Sequence, residues 1–243
     1  MILQEPFGSI VTFISTMRGR AMTDQDRAAV YDMVVVGGGL AGLTMALVLK
    51  QAFSGQLKVA LIDPHGLDPL APSGRAYAIA AGACKMFEAL NLWSDIAPQA
   101  QAIERMVITD SRLAEPVRPV FLTFEQNQTT NQPYAYMIEQ DHLLRVIQSA
   151  LQQTGLSVLK GRASGMTDQG SVAALHLEDG TMLHTNLVIA CDGARSPLRQ
   201  AAGIGMIMHA YDQSGIVATL GLERPHHGIA EEHLSLIHIS EPT

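Results

Sequence analysis

A run of seventeen residues without a charged side chain, Met33 to Leu49, constrains this chain more than any other feature. A membrane-spanning helix needs ~20 consecutive apolar residues, and three consecutive glycines in the first half of this run disfavour a helix there. A strand, a turn and a helix fit it better. Asp32-Met33-Val34-Val35-Val36 is β-branched and apolar, as a buried parallel strand requires. Gly37-Gly38-Gly39-Leu40-Ala41-Gly42 then matches GxGxxG, and Leu43 to Phe53 continues with helix formers and no proline. Lys58 to Ile62 is a second buried strand that ends at Asp63, 21 residues past Gly42. Strand, glycine turn, helix, strand and acid together make a unit of the dinucleotide-binding type.

Each part has a physical task. Gly37 permits the tight turn out of the strand, Gly39 lets a pyrophosphate approach the backbone, and Gly42 allows close helix packing. Leu40 and Ala41 open the helix, whose unpaired N–H groups and positive dipole end favour phosphate. Asp63 is placed to accept hydrogen bonds from ribose hydroxyls. The alternative is a glycine-rich turn in some other α/β sheet, and the motif alone does not separate FAD from NAD.

A second motif lies further on. Ser171 to Leu177 alternates as a strand, Glu178-Asp179-Gly180-Thr181 is a turn sequence, and Met182 to Ala190 returns as a strand. The returning strand runs into Cys191-Asp192-Gly193-Ala194-Arg195-Ser196-Pro197, with Ser and Pro opening a helix. Such a turn falls at the carboxyl edge of the sheet, where ligands of open α/β sheets bind. An ordinary hairpin followed by a helix cap is the alternative.

Composition excludes several classes. With 47% hydrophobic residues the chain can bury a core, so wholesale disorder is not expected. A net charge of −7 argues against nucleic-acid binding, which calls for a basic face. Cys84 and Cys191 stand far apart with no CxxC pair, so a disulfide scaffold or cysteine zinc site has no support and a reducing, cytoplasmic compartment is expected. His226, His227 and His233 lack carboxylate or cysteine partners at ligand spacing and read as surface histidines, with no metal site. The apolar stretch Ile10 to Met17 follows Glu5 and precedes Arg18 and Arg20, the wrong charge order for a secretory signal. Met22 is an alternative start.

From about Tyr31 to His233 the sequence resembles the FAD-dependent aromatic hydroxylases of the p-hydroxybenzoate hydroxylase type. Within these it is most similar to the ubiquinone-biosynthesis hydroxylases that act on polyprenylated phenols. Asp192-Gly193-Ala194-Arg195-Ser196 is similar to the family's second motif, which serves both flavin and pyridine nucleotide. Arg75-Ala76-Tyr77-Ala78-Ile79 looks like the segment whose arginine approaches the flavin's phosphate and ribityl region, although Arg75 also reads as an exposed loop residue. Tyr136-Met137-Ile138-Glu139-Gln140 looks like the segment whose polar residue contacts the flavin, although Gln140 also reads as the simple start of a helix over 141–152. Gly215 to Thr219 and Pro225 to His233 resemble the start of the subgroup's substrate sheet. Trp93 is the only tryptophan, which does not support the related flavin halogenases with their two-tryptophan motif.

The resemblance implies an α/β fold: a Rossmann-like FAD/NAD(P)-binding domain over 31–105 and 138–203, interleaved with an incomplete β-sheet substrate domain over 106–137 and 204–233. It implies FAD as cofactor, NAD(P)H as co-substrate and a hydrophobic phenolic substrate. The expected activity is hydroxylation of that phenol with O2, with no side chain assigned as catalytic acid or base because the cofactor carries the chemistry. A cytoplasmic protein peripheral to the inner membrane, in contact with ubiquinone-pathway proteins, fits such a substrate. Other readings are a prenyl reductase of the same fold or a nucleotide-binding fragment without turnover. Residues 1–30 read as an N-terminal extension. Residues 234–243, LSLIHISEPT, read as a translated sequencing adapter joined to a truncated gene, which would remove the family's third, Gly-Asp motif and leave the fragment inactive.

Overall fold

Val34, Val35, Ala60 and Leu61 are wholly buried, which makes the two apolar runs of the first motif central strands. The computed structural model describes residues 11–13, 30–69, 71–110, 119–125, 133–170, 172–210 and 214–234. In chain order they form β1 (Val11–Phe13), β2 (Val30–Val36), α1 (Leu40–Ala52), β3 (Val59–Asp63), β4 (Ala76–Ala80), α2 (Ala81–Ala89), α3 (Trp93–Ile96), β5 (Gln101–Ile103) and β6 (Arg105–Asp110). They continue as β7 (Val120–Glu125), β8 (Ala135–Glu139), α4 (Gln140–Gln152), β9 (Ser157–Lys160), β10 (Ala163–Asp168), β11 (Ala173–Leu177), β12 (Met182–Ala190), α5 (Pro197–Ala201) and β13 (Ile229–Leu234). The architecture is the α/β class expected. The chain divides into two units, one of residues 1–72 with 143–214, the other of residues 73–142 with 215–243. Residues 73–105, assigned above to the nucleotide domain, cluster with the second unit, as do residues 138–142.

The first unit holds one sheet in the order β10-β11-β12-β2-β3-β9, with β1 paired to β12. Strands β12, β2, β3 and β9 run parallel, while β10, β11 and β12 form an antiparallel meander. Strand β12 changes character along its length. Its first half alternates exposed and buried, and its last three residues are all buried where it joins the parallel strands, as neighbours on both faces require. Leu175, Leu177 and Leu183 of the meander share a core with Val34, Val36, Ala60 and Ile62. Helix α1 packs on β2 and β3 and buries Leu43, Ala46 and Leu47 completely, a single face at helical spacing. In α4, Leu143, Ile147 and Leu151 recur every fourth residue and are likewise enclosed.

The second unit holds two three-stranded sheets, β4-β8-β5 and β13-β6-β7. Strand β13 pairs in parallel with β6, extended at its start by a bond from the Glu104 N–H to the Gly228 carbonyl. All of β7 is exposed. Gly215 to Thr219, read above as the start of a substrate sheet, forms no strand. Ile216 and Val217 are 94% and 76% exposed, and an apolar β-branched pair makes a strand only where a partner strand takes its N–H and C=O groups. The readings of residues 1–10, 14–29 and 235–243 fall outside the described residues.

Leu61 sits at the centre of the parallel strands with no solvent exposure. Leu61→Ala should lower unfolding free energy by about 2–5 kcal/mol, through lost burial and the cavity left behind. Urea denaturation measures it, and a loss below about 1 kcal/mol would contradict this placement.

Candidate functional site

The carboxyl ends of β2, β3 and β12 meet at one edge and are tied to each other through the backbone. The Gly37 N–H donates to the Ile62 carbonyl at 2.8 Å, and the Cys191 N–H donates to the Val36 carbonyl at 2.7 Å. This is a topological switch point: the chain leaves β2 toward β3 on one side, and β12 returns on the other. A cleft of about 710 Å³ opens there, lined by Gly37, Gly38, Gly39, Asp63, Asp192 and Gly193 among others. Leu40, Ala41 and Gly42 form the first turn of α1 directly behind the glycines.

Three glycines of the motif hold three different environments. Gly37 has φ of +109°, and a Cβ there would lie 2.1 Å from the Cys191 carbonyl oxygen. A Cβ on Gly42 would lie 1.8 Å from the Gly37 oxygen, so this glycine seats the helix against the loop. A Cβ on Gly39 would meet no protein atom within 4 Å. Gly39 is also the N-cap of α1 without a side-chain cap, and no acid occupies the first turn, so the helix offers its N–H groups and positive dipole end to this open space.

Asp63 does more than the sequence reading assigned to it. Its Oδ2 accepts the Gly38 N–H at 2.7 Å and its Oδ1 accepts the His65 N–H at 2.8 Å. A Cβ on Gly38 would strike the Asp63 carboxyl at 2.7 Å, so the glycine loop is seated on this carboxylate. Gly38 was missed because the fingerprint leaves its position unspecified, yet a third consecutive glycine was a visible signal. A carboxylate has roughly four acceptor positions, so sites for ribose hydroxyls remain.

Asp192 Oδ2 accepts the Leu198 N–H at 3.3 Å, and the Ser196 hydroxyl accepts the Arg199 N–H at 2.9 Å, the cap expected from Ser-Pro. The buried Arg199 donates to the Ala194 carbonyl at 2.7 Å and braces the turn from behind. Arg195 lines the cleft. Burial, and then the neighbouring Asp192 carboxylate, push the Cys191 thiol up to about 11, which keeps it protonated near neutrality.

The far wall of the cleft was not found from sequence. It comprises His65, just past β3, with Arg162 and Ser164 at the start of β10 and Glu178 just past β11. The Glu178 N–H donates to the Arg162 carbonyl at 2.9 Å, and Arg162 Nε lies 3.7 Å from Glu178 Oε1. Both side chains are over 60% exposed, so this pair contributes ~0–1 kcal/mol to stability.

Arg75 and Gln140 lie in the second unit and are brought together there. The Gln140 N–H donates to the Arg75 carbonyl at 2.8 Å, and the Tyr77 hydroxyl donates to Gln140 Oε1 at 2.8 Å. Asp141 accepts from the Ser73 N–H and hydroxyl two residues before Arg75. Of the histidines, His226 Nδ1 accepts the Gly228 N–H and His233 Nδ1 lies 2.6 Å from the Thr109 hydroxyl. Among the described residues no group of three or more His, Cys, Asp or Glu could hold a metal ion, and no helix is long and apolar enough to cross a membrane.

A parallel sheet with a glycine loop, an open helix N-terminus and an acid at its switch point defines a dinucleotide-binding protein. The chain belongs to the FAD-binding domain family, whose sequence profile it matches over residues 30–242, most of the segment read above as an adapter included. It is 33% identical over 208 residues to ubiquinone hydroxylase UbiL of Rhodospirillum rubrum, covering 84% of this chain and 47% of that one. It is 30% identical over 221 residues to the mitochondrial ubiquinone biosynthesis monooxygenase COQ6 of Rattus norvegicus, covering 84% and 45%. The chain thus spans about half the length of these relatives. Among solved structures, p-nitrophenol 4-monooxygenase PnpA of Pseudomonas putida DLL-E4 superposes with a TM-score of 0.60 at 22% identity, over 72% of this chain and 44% of that one. A 2-methyl-3-hydroxypyridine-5-carboxylic acid oxygenase gives 0.61 at 18% identity, over 86% and 53%. These two share the fold.

The residues present fit the nucleotide half of FAD, because the open space at Gly39 and the uncapped helix behind it are what a pyrophosphate needs. Gly39→Val should abolish flavin uptake while costing at most about 1 kcal/mol of stability, the scale of a helix N-cap change. Gly42→Ala should cost about 1–3 kcal/mol, because backbone oxygen already fills the space. Flavin titration and thermal melts of both variants separate the two effects.

Cys191 generates a pH prediction. The unfolded thiol ionises near its ordinary 9.0 and the folded one near 11, so the unfolded form loses its proton first as pH rises. Stability from the buried neutral thiol is full below about pH 9 and is lost as pH climbs through 11. Cys191→Ala should flatten the decline in unfolding free energy between these values. Equal slopes for the two proteins would contradict the assignment.

Proposed function

We propose that the whole protein is an FAD-dependent monooxygenase that hydroxylates a polyprenylated phenol in ubiquinone biosynthesis, using NAD(P)H and O2. The observation that carries this reading is the similarity to ubiquinone hydroxylase UbiL and to COQ6 across 84% of the chain. The cleft at the carboxyl edge of the first unit supports it independently. Bound FAD supplies the redox and oxygen chemistry that side chains lack. This chain's residues bind and orient it. Gly37, Gly39, Leu40, Ala41 and Gly42 take the pyrophosphate, and Asp63 takes a ribose while holding the loop. Asp192 and Gly193 form the second polar turn, which serves both flavin and pyridine nucleotide in this reading. Arg75 and Gln140 carry the family's assignment to the flavin, and their mutual hydrogen bond supports treating them as one element. In the same reading, residues 106–137 and 204–233 belong to the substrate domain, the substrate is hydrophobic and phenolic, and access is from a membrane surface.

The test is product analysis of the whole protein with a prenylated phenol, NAD(P)H and labelled O2. One labelled oxygen atom should enter the ring for each NAD(P)H oxidised, the other leaving as water. Reduction of a prenyl double bond without label would overturn the reading in favour of a reductase.

A further inference from the structure

Tyr77 lies two residues past Arg75 and has no task in the reading so far. It is partly buried, and its hydroxyl donates to Gln140 Oε1 at 2.8 Å. The backbone around that bond is fixed. Strands β4 and β8 pair antiparallel with Ala76 opposite Glu139, and the bond from the Gln140 N–H to the Arg75 carbonyl extends the ladder by one step. Residues directly opposite in such a ladder project from the same face, and neighbours along a strand from opposite faces. Arg75, Tyr77 and Gln140 therefore share a face, and Glu139 belongs to the other. The next residue, Asp141, is held by the Ser73 N–H and hydroxyl, and the Ser73 hydroxyl accepts the Arg75 N–H at 3.2 Å.

A glutamine amide has a donor end and an acceptor end, and a half-turn about its last bond exchanges them. A phenol hydroxyl donates better than it accepts, because its oxygen lone pair is delocalised into the ring. It therefore selects the oxygen end of the amide, and Nε2 is turned away from it. We infer that Tyr77 is a positioning residue: its hydroxyl fixes the Gln140 amide so that Nε2, and not Oε1, meets the flavin half of FAD. This rests on the FAD reading above and sets the sense of one contact within it. Arg75 can only donate, so with the amide held this way the two side chains offer donors alone. They suit a group that only accepts, such as a ring carbonyl or a ring nitrogen without hydrogen. Phosphate oxygens accept as well, and the test below separates the two. Without the phenol hydroxyl the amide can turn its oxygen to the Arg75 guanidinium, which withdraws one donor from the ligand and engages the other.

Titration of the whole protein, freed of flavin, with FAD and with ADP tests this role without any turnover. Tyr77→Phe keeps the ring and removes the hydroxyl. It should weaken FAD about fivefold, the scale of one hydrogen bond, and leave ADP unchanged. Gln140→Ala should weaken FAD about tenfold. Adding Tyr77→Phe to it should weaken FAD no further, because the phenol acts only through the amide. At pH 7 Gln140→Glu should weaken FAD more than Gln140→Ala does, because a carboxylate only accepts. Its affinity should recover as pH falls toward about 5 and part of the introduced carboxyl regains a proton to donate, with no such recovery in Gln140→Ala. Unchanged FAD binding in Tyr77→Phe, or an equal loss with and without Gln140, would overturn the positioning role and leave the FAD reading standing. Full FAD binding by Gln140→Glu at pH 7 would overturn it in favour of an outward Oε1. Loss of ADP together with FAD in Tyr77→Phe would overturn the flavin contact in favour of a phosphate contact. A whole protein that binds neither ligand would overturn the FAD reading and this role with it.

Discussion

The close approach of Gly37 to the Cys191 carbonyl is the contact on which the nucleotide unit depends. It joins the ends of two strands that arrive from distant parts of the chain, with no room for even one carbon atom between them. Gly42 repeats the condition one helical turn later by resting on the Gly37 oxygen. Phosphate binding is a by-product of this crowding. Backbone pressed against backbone on one side leaves Gly39 facing open space on the other, and the helix behind it aims there.

Crowding alone would not hold the loop open. The Asp63 carboxylate does so, with one oxygen on the Gly38 N–H and the other on the His65 N–H. A short acid at the end of β3 reaches the loop backbone directly, so the glycine segment is ordered by the protein itself. Preorganisation of this kind reduces the ordering entropy that a ligand must offset.

The nucleotide unit could be read from sequence because its constraints are local. Val34 to Val36 and Val59 to Ile62 announce buried strands by composition, and the glycine spacing fixes the turn between them. Strand β12 was also located, since the Asp179-Gly180 turn and the alternation before it are short-range signals. Arg162 and Glu178 were invisible for the opposite reason. Sixteen positions apart in sequence, they become neighbours only because the meander folds back over the carboxyl edge. Gly215 to Thr219 was placed in a sheet by resemblance to the subgroup alone, and only the second stretch so placed, at Ile229 onward, forms a strand. Residues 73–105 read in sequence as a continuation of the nucleotide domain, and the strands β4 and β5 within them pair with β8, a long-range pairing that no local signal records.

The pairing of β2 with β12 has a consequence for synthesis. Val34 sits beside Val188, 154 residues further along the chain. At a translation rate of about 5–20 residues per second, β2 waits roughly eight to thirty seconds before its partner leaves the ribosome. Through that interval one of the most apolar strands of the protein has a bare edge. Production of this chain therefore depends on whatever shields a nascent β-strand, and slowing translation between residues 36 and 182 lengthens the time at risk.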